Sequence, residues 1–112
     1  LKEYNALLEK AKEEVKKDRL LIFIYPERET SFTSDLAGEI SYLYPEKITI
    51  IGREKNDSIT MSIRAKDTDI LSILKNALVG IEGYGGGHEY ACGASVKKED
   101  FERFIENIKS QI

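Results

Sequence analysis

Apolar and polar positions along the chain change rhythm several times, and each rhythm predicts an element. Leu1, Tyr4, Leu8, Ala11 and Val15 recur at helical spacing with lysine and glutamate between them. The opening stretch therefore predicts an amphipathic helix ending near Asp18. It is rather charged for a core helix, which suits a connector from a preceding domain. The continuous apolar run from Leu20 to Tyr25, stopped by Pro26, predicts a strand covered on both faces and hence central in its sheet. After a polar loop, Ser34 or Asp35 can cap a helix that brings Leu36, Ile40 and Leu43 onto one side and stops before Pro45.

The segment "KITIIG" predicts a second strand, ended by Gly52. Beyond a turn signal, Ile59, Met61 and Ile63 alternate with Thr60, Ser62 and Arg64, the period of a strand with one buried and one polar face. "DTDILSILKNAL" predicts a capped helix presenting Ile70, Leu74 and Leu78. "GYGGGH" predicts a loop, "CGASV" a short strand, and Phe101, Phe104, Ile105, Ile108 and Ile112 a closing helix. The order α-β-α-β-β-α-β-α makes the fold class α/β, a mixed four- to five-stranded sheet packed against helices.

Composition narrows the functional classes. The 112 residues suit one domain with a modest core, and a net charge of −3 argues against a duplex binder working by broad counterion release. A local basic groove on an acidic body stays compatible with that charge. A single cysteine excludes an intrachain disulfide framework and points to a reducing compartment. No apolar run approaches a membrane span and no signal-like segment opens the chain, so a cytoplasmic location without a membrane partner is expected. The chain begins on Leu1 rather than methionine, which suggests a piece of a longer protein.

The chemistry concentrates in "GGGH", residues 85–88, which holds the sole histidine. Consecutive glycines free the backbone for positive φ and clear Cβ atoms from one surface, so successive N–H groups can converge on an anion as a nest. A plain glycine turn beside a surface histidine is the alternative reading of the same residues. No "GK[ST]" follows, which excludes a nucleotide-hydrolysing P-loop. Arg64, ending a strand on its polar face, can fork onto a phosphate or sit in a weak surface ion pair. Cys92 between Ala91 and Gly93 reads as a small packing residue. Glu82, His88, Glu89 and Cys92 are too few in histidine for a catalytic zinc shell, and no serine–histidine–acid arrangement is assignable.

With these residues in view, the chain resembles the C-terminal associated domain of DHH-family phosphoesterases, a group of RecJ-type single-strand exonucleases, short-RNA oligoribonucleases and cyclic-dinucleotide phosphodiesterases. The resemblance rests on "SITMSIRA", "DTDILSILKNAL", "GGGHEYACGASV" and the closing helix, with "TSDLAGEISYLYPEKITII" as the preceding helix–strand unit. It implies a linker helix over 1–18 and a substrate-binding domain over 19–112. It also implies that Arg64, Gly85, Gly86, Gly87 and His88 hold the substrate's phosphate or terminal nucleotide. The implied partners are a single-stranded nucleic acid or short oligonucleotide, and an N-terminal DHH domain of the same chain. That domain would carry manganese or magnesium. This segment has no Asp-His-His motif, so no metal centre and no catalytic residue are expected in it, and the isolated chain should not catalyse. "LVGIEGY" before the glycines is longer than the family pattern, and Cys92 stands where the family often has alanine or serine.

Two other functions fit parts of the chain. One is an RNA-binding module akin to the C-terminal domain of alanyl-tRNA synthetases, whose glycine loop normally continues with arginine and proline rather than His88 and Glu89. The other is a structural dimerisation domain pairing through the first helix. Tyr84 and Tyr90, flanking the glycines, are candidates for stacking on a base.

Overall fold

The structure, a computed structural model, describes residues 1–112. Its elements are α1 (Lys2–Lys12), β1 (Leu20–Pro26), α2 (Thr33–Leu43), β2 (Ile48–Lys55), β3 (Ser58–Arg64), α3 (Ile70–Ala77), β4 (Gly83–His88), β5 (Ala91–Lys97) and α4 (Phe101–Lys109). They form a mixed α/β fold around one five-stranded sheet of order β1-β2-β3-β5-β4. β1 and β2 run parallel, joined through α2, and every other pairing is antiparallel. The β2–β3 hairpin turns on Asn56 and Asp57, with Asn56 at φ 56.

Strand alternation sorts the sheet's side chains into two cores. One face carries Ile48 and Ile50 of β2, Ile59, Met61 and Ile63 of β3, and Cys92, Ala94 and Val96 of β5 against α3 and α4. The other face places Leu21, Tyr25 and Ile51 under Leu7, Leu8 and Ala11 of α1 and Leu36, Ala37 and Ile40 of α2. This second apolar core is confined to the β1–β2 side, although α2 also reaches over β3. The β3, β5 and β4 residues of the same face belong to neither core and are half-buried or exposed.

Four expectations are corrected. β1 is an edge strand: burial on both faces explains its continuous apolar run, and burial of faces does not require a neighbour at each edge. α1 stops at Lys12, because the buried Lys47 donates its ammonium to the carbonyls of Lys16 and Asp18 and holds that segment as a non-helical connection. Gly52 lies inside β2, where a Cβ would meet Ile24 Cδ1 at 2.8 Å. Finally, neither Ser34 nor Asp35 caps α2, which starts at Thr33 with no side-chain cap. By contrast Asp69 does cap α3, accepting from Ser72 N at 3.1 Å.

The start of α2 is fixed from β1. Phe32 N–H donates to the Tyr25 hydroxyl at 3.1 Å in a buried setting, and burial pushes that phenol's pKa up. Tyr25→Phe removes the acceptor and strands a buried N–H, for an expected loss of about 1–3 kcal/mol. Urea denaturation of the two proteins would check it; equal midpoints would mean that water reaches Phe32 N.

Candidate functional site

The glycine stretch is a strand, not a loop. β4 pairs with β5 through Gly83↔Val96, Gly85↔Ala94, Gly86↔Gly93, Gly87↔Cys92 and His88↔Ala91, and forms the far edge of the sheet. A nest of converging N–H groups is therefore not what these glycines build. Lys97 N–H donates to Glu82 O at 2.9 Å, which sets the phase of the ladder. By antiparallel alternation, Tyr84, Gly86 and His88 bond inward, while the N–H groups of Gly83, Gly85 and Gly87 point to the free edge.

Alternation also divides the glycines by purpose. An added Cβ at Gly85 would lie 2.7 Å from Gly93 O, and one at Gly87 would lie 2.5 Å from Ala91 O. Gly87 further holds φ 145, which side chains rarely adopt. These two let the β4 backbone approach β5. A Cβ at Gly86 would meet nothing within 4 Å, since it would project from the uncovered face.

That face is polar, and over β5 and β4 it is bare. Across it run the row Thr49–Arg64–Ala91–His88, then Ser62–Gly93–Gly86, then Thr60–Ser95–Tyr84. Cross-strand partners share a face, so Arg64 and His88 look the same way, about 10 Å apart at the usual strand spacing. The last row is tied by a 3.1 Å hydrogen bond between the Thr60 and Ser95 hydroxyls.

Arg64 is placed by the protein but not neutralised. Nη1 donates to Ile63 O at 3.0 Å and Cys92 O at 3.2 Å, and Nη2 donates to Ser34 Oγ at 3.2 Å. These three bonds use three of the guanidinium's five N–H donors. None of the chain's ion pairs involves Arg64 or Lys66. The start of α2, positive by its backbone dipoles, adds to the same field. Arg53 Nη1 reaches it through Thr33 Oγ1 at 3.0 Å, although Arg53 is paired with Glu27 at 3.3 Å.

His88 is exposed, so it is available to a ligand rather than enclosed in packing. Its carbonyl accepts from the Cys92 thiol at 3.1 Å, and burial pushes the Cys92 pKa up, as suits a packing thiol. No group of three or more His, Cys, Asp or Glu is placed to hold a metal ion. No helix is long and apolar enough to cross a membrane.

Residues 19–112, well over half the chain, match the DHHA1 domain. The chain belongs to the DHHA1 domain family. Solved structures place this DHHA1 fold beside several others. RecJ from Thermus thermophilus, in complex with Mg2+, superposes with TM-score 0.79 at 15% identity over 96% of this chain and 17% of that one. A pGpG-specific phosphodiesterase, PggH from Vibrio cholerae, gives 0.65 at 22% identity over 98% of this chain and 38% of that one. The C-Ala domain of Aquifex aeolicus alanyl-tRNA synthetase gives 0.64 at 20% identity over 82% and 86%. The DHHA1 chain thus spans well under half of the RecJ and PggH chains. No curated protein matches it in sequence.

The DHHA1 fold brings Arg64, Gly86 and His88 onto one face and puts Gly85 and Gly87 at the adjoining edge. The pattern reading missed Ser34, which orients Arg64 rather than capping α2. The alternating hydroxyls of "SITMSIR" and "GAS" were the visible signal for the polar face around it.

Proposed function

We propose that the open half-face of this DHHA1 domain binds the phosphate end of a single-stranded nucleic acid or short oligonucleotide. One observation carries the reading: an arginine without a carboxylate partner shares a sheet row with an exposed histidine, beside an edge strand stripped of side chains. Arg64 supplies charge and a fork for two oxygens. His88 donates one further hydrogen bond, and the edge N–H groups of Gly85 and Gly87 offer backbone donors beside it. His88 acts here as a binding donor rather than as a general base.

Family membership extends the proposal to a division of labour. An N-terminal DHH domain of the same polypeptide would hold manganese or magnesium, and this domain would present the phosphodiester to it. The single, buried, free cysteine supports a cytoplasmic setting.

The test is a titration of the chain with a 5′-phosphorylated oligonucleotide, followed by residue-resolved NMR. Arg64→Ala should weaken binding by about 10- to 100-fold, the usual worth of a charge-assisted hydrogen-bonding group. Arg64→Lys, keeping charge without the fork, should fall between. Unchanged affinity in folded Arg64→Ala would sink the reading. The match along most of the C-Ala domain supports a second reading, an RNA-binding module. It predicts instead that folded tRNA binds and the short phosphorylated oligonucleotide does not.

A further inference from the structure

Beside Arg64, between α2 and the ends of β3 and β5, lies an open groove of about 420 Å³ lined by Gly38, Ser41, Arg64, Ala65, Lys66 and Tyr90. Its volume falls within the range of small-ligand sites. We infer that this groove is a nucleoside pocket, which takes the base and sugar of the terminal nucleotide whose phosphate Arg64 holds. The inference rests on the phosphate reading above and adds the recognition element that reading lacks.

The strongest argument is Gly38. It sits inside α2, where glycine is less favourable than alanine by roughly 1 kcal/mol. Neither sterics nor backbone conformation calls for it. An added Cβ would meet nothing within 4 Å, and its φ is not positive. What the missing side chain does is keep the wall of the groove low. Ser34, Gly38 and Ser41 recur at i, i+4 and i+7, so they form one stripe along α2. At one end of the stripe Ser34 holds Arg64. Further along, Gly38 and the buried Ser41 line the groove.

The opposite wall has an aromatic ring. Tyr90 is 47% exposed, yet its backbone is fixed, because Ala65 N–H donates to Tyr90 O at 3.1 Å. An aromatic held at the mouth of a groove is a platform on which any base can stack. Lys66, exposed and outside every ion pair, supplies a second cation for the phosphate flanking that base. A bare phosphate would need neither the volume nor the ring. A lipid-like apolar ligand would not face two unpaired cations. Together the groups fit a nucleotide.

The experiment compares two ligands on the 112-residue chain: a 5′-phosphorylated dinucleotide, and the same molecule with an abasic first residue. Gly38→Leu fills the groove from a position with free space, so the fold should tolerate it, and Tyr90→Ala removes the platform. Each should weaken the dinucleotide tenfold or more and leave the abasic ligand's affinity unchanged. If both folded variants bind the dinucleotide as the wild type does, while Arg64→Ala still weakens it, the pocket is wrong and phosphate binding stands. If Arg64→Ala is equally without effect, or if the wild type binds neither ligand, both readings fall. Should Gly38→Leu not fold, Tyr90→Ala decides by itself.

Discussion

Gly87→Ala should destabilise the domain by about 3 kcal/mol, the sum of a strained positive φ and an overlap with the neighbouring strand. The overlap is with backbone, since the new methyl would stand 2.5 Å from Ala91 O and 2.8 Å from Cys92 Cα, and backbone cannot swing aside like a side-chain tip. Gly85→Ala should cost less, about 1–3 kcal/mol, because it meets Gly93 O at 2.7 Å without the conformational penalty. Gly86→Ala should lie within about 0.5 kcal/mol of the wild type, as surface changes do. Urea denaturation of the three variants would separate them. Equal effects would mean that the stretch is a pliable loop, and the strand pairing described above would be wrong.

Phe104→Ala should be the most damaging single truncation, at about 3–5 kcal/mol. Phe104 is fully buried on α4, and its ring lies 6.4 Å from that of Phe101 in a tilted pair. A domain of this kind has about 5–15 kcal/mol of stability in total, so the variant would keep little in reserve. Phe101→Ala, at a half-buried position on the rim of the same core, should cost clearly less. Thermal unfolding followed by circular dichroism would show the order, and a small loss at Phe104 would mean that the core collapses around the gap.

Much of the architecture was legible because its signals are carried by side chains. Ile59, Met61 and Ile63 alternate with Thr60, Ser62 and Arg64, and that alternation survives intact in β3. "DTDILSILKNAL" reads as a capped helix, and in α3 the cap is Asp69. The glycine strand was illegible for the complementary reason: glycine has no side chain with which to show a period, and its propensity opposes a strand. Only the partner strand, distant in hydrogen bonding from any local pattern, makes Gly83–His88 extended. β1 misled differently, since an apolar run reports what covers its faces and is silent about its edges. Arg64 and His88 were readable as candidates from residue type and family likeness. Their sharing of a row depends on the register of three strands, which no single segment encodes. Gly38 was passed over because an isolated helical glycine looks like noise until the groove beside it is seen.

Register has a sharper consequence for His88. Successive side chains on a strand face opposite ways, so a slip of β4 by one residue would turn His88 towards α3 and bring a neighbour without its chemistry into the row of Arg64. No intermediate placement exists. The site is in this sense binary, and it is set by an edge strand that contributes almost no side chain to either core. Conditions that merely loosen β4 would erase it while both cores persist, so a folded domain and a competent one are separate states of the same molecule.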